Sequence, residues 1–202
     1  MPMPTINTPP AEVLRDYVGR RASQLFEGYQ RDDPTAVSVL ARLRRAYPSG
    51  PEVRGDTWDV FEGMPAALLG HGDDPSHAEY AAVVALSLFA VHQQSRRDDR
   101  MHQSDMRHSW GRSVRRLADA SGSEGVQRRF RALTRASDVV STLPHLRGIV
   151  TQLRAERIPT DYGALAIDLY RLQSPADMHT VRMRWTRDFH RPTSADTSGA
   201  DQ

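Results

Sequence analysis

The sequence contains no cysteine and no lysine; all 27 of its basic residues are arginine. Without cysteine, disulfides, thiolate catalysis, iron–sulfur clusters and cysteine zinc sites are excluded. The missing lysine fits the codon bias of a GC-rich genome, so arginine identity by itself proves little. Long apolar runs are lacking too. The longest, Tyr80 to Val91, is interrupted by Ser87 and is too short to cross a bilayer. No charged-then-apolar leader precedes a small-residue cleavage position, so a cytoplasmic protein without a membrane partner is expected. Neither a GxxxxGK[ST] nor a GxGxxG loop occurs, and no nucleophile–base arrangement can be read from the sequence. Nothing supports catalysis or a bound cofactor.

What is present is helical punctuation. Hydrophobic residues make up 39% and charged residues 26% of the 202, enough apolar sequence for one sizeable helical domain or two small ones. Pro9 and Pro10 open a first helix with Val13, Tyr17, Ala22, Leu25, Phe26 and Tyr29 near helical spacing. Asp33-Pro34 caps a second, with Val37, Leu40 and Leu43 inward and Arg42, Arg44 and Arg45 at its outer edge. Short pieces follow around Trp58 to Phe61 and from Pro65 to Leu69. Ser76 to Glu79 is a capping box opening the most apolar helix, which runs to about Gln93 and should be the buried, central one. The polar stretch over 95–108 has no periodicity and reads as a flexible loop between two halves. Beyond it, helices are expected from Trp110 to Ala120, Gly125 to Ser137, Pro144 to Glu156, Asp161 to Gln173 and Pro175 to Phe189. Their caps would include Thr142, Thr160 with Asp161, and Ser174. The expected fold is all-α: a lobe over 9–95, a linker over 96–108, a short-helix bundle over 109–191 with a basic face, and loose tails at 1–8 and 192–202.

Charge is distributed unevenly. Residues 1–95 hold 8 arginines and 12 acidic residues, net −4, whereas residues 96–191 hold 19 arginines and 11 acidic residues, net +8. On the helix from Trp110, Arg112, Arg115 and Arg116 fall at i, i+3 and i+4, while Trp110, Val114 and Leu117 can turn inward. On the next helix Arg128, Arg131 and Arg135 form a second stripe, with Arg129 beside it and Val126, Phe130 and Leu133 toward the core. Like charges one turn apart repel, and a bound polyanion relieves that. The alternative is a solvated face with acidic partners inside the chain, as a protein-interaction scaffold would have. Backbone phosphate binding would be salt-dependent and nearly sequence-independent. A base-reading regulator is a further alternative, though the Trp110 to Ser137 pair resembles a helix-turn-helix only loosely.

The eight histidines invite a metal reading, but none has zinc-like spacing. His71, Asp73 and Asp74 lack the adjacent His-Asp pair and further ligands of an HD-type site, and a capped turn before Pro75 accounts for them. His92, on the apolar helix, is expected to be a hydrogen-bonded core histidine.

Several blocks together cover most of residues 80–190 and resemble, in order, the small-subunit (CasB) family of the type I-E CRISPR surveillance complex, Cascade. They are Leu88 to Gln93 (LFAVHQ), Trp110-Gly111-Arg112 with Val114 to Leu117 (VRRL), and Val126 to Leu133 (VQRRFRAL). Three more follow: Leu143 to Leu153 (LPHLRGIVTQL), Ile158 to Leu172 (IPTDYGALAIDLYRL) and Val181 to Phe189 (VRMRWTRDF). The resemblance implies an all-helical, non-enzymatic subunit that sits with a second copy of itself between the crRNA-bearing backbone subunits and the large subunit. Its basic surfaces would line the path of target DNA and the displaced strand. Arg112, Arg129, Arg135 and Arg147 carry over to that surface, as do Arg44 and Arg45 in the more variable first 75 residues.

Overall fold

The computed structural model describes residues 10–48, 58–122 and 124–191; the two expected tails lie outside the described residues. Nine α-helices occur among them: α1 Pro10–Gln30, α2 Pro34–Arg45, α3 Trp58–Phe61, α4 His77–Gln93, α5 Trp110–Ser121, α6 Glu124–Arg135, α7 Val139–Ala155, α8 Tyr162–Leu172 and α9 Pro175–His190. The fold is all-α, in two packed helical lobes, and no β-sheet is present among the described residues.

Helix α4 is the axis of the molecule. Its capping box forms as expected: Ser76 Oγ accepts from Glu79 N–H at 3.1 Å, and Glu79 Oε2 accepts from Ser76 N–H at 2.6 Å. Every residue from Ala78 to Gln93 is buried, because α1, α2, α7 and α8 all pack on α4 and leave no face for water. Helix α2 is capped by Asp33, which accepts from Thr35 N–H at 2.9 Å. Its tight fit on α1 depends on Gly28, where a methyl group would stand 2.6 Å from Ala36 Cβ. In the other lobe α5 lies along α9, with Trp110 and Trp185 buried between them at 6.1 Å between ring centroids. Helix α6 buries Val126, Phe130 and Leu133, and Phe130 stacks on Phe189 of α9 at 4.6 Å.

Three expectations shift. Helix α7 begins at Val139, not Pro144, because Asp138 caps it by accepting from Ser141 N–H at 2.8 Å. Pro144 then sits inside the second turn. Helix α8, from the sequence's second half, packs on α1 and α4 as well as on α9, so it joins the lobes. The stretch over 95–108, read as a flexible loop, is tied down along its length. Met101 and His102 are buried, and His102 pairs with Thr160 in an isolated parallel bridge: Thr160 N–H donates to Met101 O at 3.1 Å, and Gln103 N–H to Thr160 O at 3.2 Å. Gln93 reaches back to receive Met101 N–H at 3.2 Å and to donate to Asp99 O at 2.8 Å. Arg97 and Arg100 bind Asp32 and Glu27 of the first lobe at 2.6 and 3.4 Å.

Candidate nucleic-acid interface

The structure sorts the ten arginines singled out from the sequence into two kinds. Arg115 and Arg116 have partners within the chain. Arg115 Nε donates to Asp119 Oδ2 at 2.8 Å, one turn on. Arg116 is half-buried and folds back onto the main chain, donating to Pro159 O and Ser113 Oγ at 3.3 Å each. Burial lowers its pKa below the ordinary arginine value. On α5, then, Arg115 is paired with a carboxylate and Arg116 is held by uncharged oxygens, leaving Arg112, half-buried, without a side-chain hydrogen bond or ion pair among the described residues.

Helix α6 is different. Arg128, Arg131 and Arg135 are exposed along one face, and none has an acidic partner among the described residues. The amphipathic pattern that buries Val126, Phe130 and Leu133 leaves these arginines no other direction. Arg129 turns toward α7 instead. Its guanidinium lies over Gly148, where a methyl group would stand 2.7 Å from Arg129 Cζ. Only a residue without a side chain lets the guanidinium lie that close to α7.

Arg147, one residue before Gly148, is exposed and sits over the Tyr47 ring, its Cζ 5.2 Å from the centroid. Tyr47 is anchored to the same helix by donating its hydroxyl to Leu143 O at 2.7 Å, and burial pushes that hydroxyl's pKa upward. Tyr47 lies just beyond Arg44 and Arg45 at the end of α2. Arg44 is half-buried, and its pKa is lowered first by burial and then by its positive neighbours Arg45 and Arg154. Tyr47 thus joins the end of α2 to α7 at Leu143 and Arg147, and Arg129 joins α6 to α7 at Gly148, so arginines more than 80 residues apart lie on adjoining elements. Arg112 stands outside these contacts.

Sequence reasoning missed Arg154. It lies one heptad after Arg147 on α7, a spacing that puts both near one side of the helix, and its guanidinium donates to Gln94 Oε1 at 2.9 Å. It missed Arg182 of α9 as well, which donates to Ala136 O and fastens the end of α6.

The remaining chemistry-bearing residues are structural. His92 is fully buried with its Nδ1 2.9 Å from Tyr162 Oη, and burial lowers its pKa to about 3. His71, Asp73 and Asp74 are exposed at a bend, and no group of three potential metal ligands occurs among the described residues. No described helix is long and apolar enough to cross a membrane.

The family model described as CRISPR-associated protein Cse2 matches residues 39–190. No curated protein matches the chain. Among solved structures, the crystal structure of CasB from Thermobifida fusca is 38% identical with a TM-score of 0.71, covering 89% of this chain and 98% of that one. A chain of a CRISPR RNA-guided surveillance complex superposes with a TM-score of 0.64 at 20% identity, covering 91% of this chain and 99% of its own, a likeness of fold. With three-quarters of its length matched by the family model, this chain belongs to the CRISPR-associated Cse2 (CasB) family, the small subunits of the type I-E Cascade complex.

Proposed function

We propose that this chain holds nucleic-acid strands inside the Cascade assembly, contacting the crRNA and the target and displaced DNA through their phosphates without reading bases. The observation that carries the proposal is the set of arginines on α6 and α7, Arg128, Arg131, Arg135 and Arg147, that are exposed and lack acidic partners among the described residues, whereas Arg15, Arg21 and Arg42 of the first lobe are paired. Guanidinium groups spaced along a helix face meet phosphate oxygens through planar forks, and they release counterions as they do so. Exchange of a DNA duplex for an RNA–DNA hybrid is nearly balanced in base-pairing energy, so a few such contacts tip it toward the open state. Among the described residues the exposed large hydrophobic side chains are Trp58, Leu69, Met106 and Met183, none on α6 or α7, so electrostatic tracking is favoured over base stacking.

The contacting residues proposed are Arg128, Arg129, Arg131 and Arg135 first, then Arg147, Arg44, Arg45 and Arg112. Arg115 and Arg116 contribute less, being held internally. The partners in this reading are the backbone and large subunits and a second copy of this chain. The complex reconstituted with Arg128, Arg129, Arg131 and Arg135 all changed to Ala tests it, with target retention measured across a salt series. The slope of log affinity against log salt should fall by about 3, at roughly 0.7–0.9 for each phosphate no longer neutralised. An unchanged slope would leave the scaffold reading, in which these arginines meet acidic protein surfaces.

A further inference from the structure

A groove of about 610 Å³ runs between α1, the turn at 105–109, the start of α5, α8 and α9. Its lining reverses the chemistry of the α6–α7 surface, with six carboxylates against three arginines. Two of those arginines are engaged, Arg15 by Asp161 at 3.3 Å and Arg184 by Asp168. Glu12 and Asp16 on the exposed side of α1 have no ion pair among the described residues. Asp188 accepts a hydrogen bond from the Ser109 hydroxyl at 2.8 Å, and Asp105 caps its own turn and meets His108 Nδ1 at 2.6 Å; neither accepts from a guanidinium group.

Acidic side chains alone are well served by water, but two other features of the groove are not. Trp110 in its wall is 1% exposed and its indole N–H has no acceptor among the described residues, a rare condition for a buried donor. Met106 at the edge projects its side chain into solvent at 76% exposure. Methionine is an adaptable apolar contact, frequent where a surface receives another chain. The negative lining disfavours a nucleic-acid strand, and the carboxylates are too dispersed to gather a metal ion among the described residues.

We propose that this groove docks a segment of a protein partner that presents arginine or lysine. The cation lies among Glu12, Asp16 and Asp188, its aliphatic stem rests against Met106, and a shift of the groove wall on docking lets a main-chain carbonyl of the segment accept from the buried Trp110 indole. Charge complementarity selects the occupant: the groove carries an excess of negative charge in a chain whose net formal charge is +2. The inference is independent of the nucleic-acid reading, because no residue of α6 or α7 lines the groove.

The test is a nuclear magnetic resonance titration of the full chain with the peptide acetyl-Gly-Arg-Leu-Arg-Gly-amide and, separately, its counterpart with glutamate in place of arginine. The basic peptide should shift the Trp110 indole N–H and Met106 methyl signals saturably, and the acidic one should not. The double change Glu12→Arg with Asp16→Arg, at exposed positions, should weaken the basic peptide about tenfold. If that variant proves unfolded by circular dichroism, Met106→Lys, which places a positive charge at the exposed edge, serves in its place with the same expected direction. Absent or equal shifts with the two peptides would overturn the proposal, as would shifts confined to other elements. A dT oligonucleotide that perturbs the groove would overturn it too. So would groove signals that move with protein concentration alone, since the occupant would then be a second copy.

Discussion

Arginines of the first lobe and arginines of α6 are the same side chain put to opposite uses. In the first lobe Arg15, Arg21 and Arg42 each bind a carboxylate: Asp161 at 3.3 Å, Glu62 at 3.1 Å and Asp59 at 2.5 Å. The last is a two-pronged pair, with Arg42 Nη2 also 2.7 Å from Asp59 Oδ1, and it holds the buried Asp59 carboxyl below its ordinary pKa. On α6, Arg128, Arg131 and Arg135 have no such partner among the described residues. Pairing inside the chain fastens helices together, and a lack of pairing leaves positive charge for something outside it. Net charge by halves hints at this contrast, but only the contacts separate arginines that are used from arginines that are free.

The comparison breaks most directly by exchanging the two sets. Changing Arg15, Arg21 and Arg42 to Ala should lower the thermal midpoint of the isolated chain and leave the salt slope of target retention within about 0.5 of the parent, as expected for groups that touch no phosphate. The α6 quadruple variant should do the reverse: a slope smaller by about 3 and a midpoint nearly unchanged, since three of the four side chains are exposed and Arg129 only rests over Gly148. If both sets alter retention equally, the distinction between paired and unpaired arginines has no functional content.

A second separation uses glycine. At Gly111 a methyl group would stand 2.7 Å from Asp188 Cβ and 3.1 Å from Phe189 N, so rigid parts of α9 block it. Gly111→Ala should force α5 and α9 apart and cost about 1–3 kcal/mol in chemical denaturation. Retention of nucleic acid, read well below the new midpoint, should follow stability alone.

Acid offers a third. His92 is buried neutral, its folded pKa near 3 against the ordinary value of 6.5, and burial lowers His102 in the same direction. A depressed histidine pKa means the unfolded chain takes up protons first. Stability from these groups is therefore complete above about pH 6.5 and is lost progressively as pH falls toward 3. His102 sharpens the effect, because its Nδ1 accepts the Tyr162 N–H at 3.1 Å and protonation would remove that acceptor. Hydrogen exchange should show the segment over 95–108 and the start of α8 loosening between about pH 6.5 and 4.5. Exchange that rises first in α6, which carries neither histidine, would contradict this assignment.

Much of the fold was legible because its signals are local. Asp33, Ser76 with Glu79, and the unbroken apolar run of α4 each act within a few residues, and all form as read. The start of α7 was misread because Asp138 and Pro144 both signal a helix start, and proline, tolerated here within the second turn, drew the boundary inward. The stretch over 95–108 looked loose because what holds it is distant in sequence: Thr160 for His102, Asp32 for Arg97, Glu27 for Arg100. The basic surface was legible as a stripe on α6, where amphipathic spacing decides which way a side chain points. On α5 the same spacing misled. Asp119 was visible one turn from Arg115, but the Pro159 carbonyl that receives Arg116 comes from a loop 43 residues on. The link from Arg44 to Arg147 needed α2 and α7 to meet on α4, which no local pattern encodes.

The smallest expected effect is the most selective. Gly148 and Gly111 both leave too little room for a methyl group, yet what fills the space differs: at Gly148 it is the guanidinium and Cδ of Arg129, at 2.7 Å from Cζ and 3.2 Å from Cδ, the far end of a flexible side chain. Gly148→Ala should therefore swing Arg129 off α7 at little cost. Replacing glycine by alanine within a helix itself gains roughly 0.5–1 kcal/mol, so the midpoint should hold or rise slightly. Arg129 would keep its charge but leave its place between Arg147 and the α6 stripe. If the surface works as a continuous track, retention should weaken about two- to threefold with an unchanged salt slope, since the charge that meets phosphate is still there, only displaced. A slope lower by about 1 would mean that Arg129 reaches phosphate only when held on Gly148. Unchanged retention would mean that the α6 arginines act as separate charges and that the route through Tyr47 and Arg147 is packing alone.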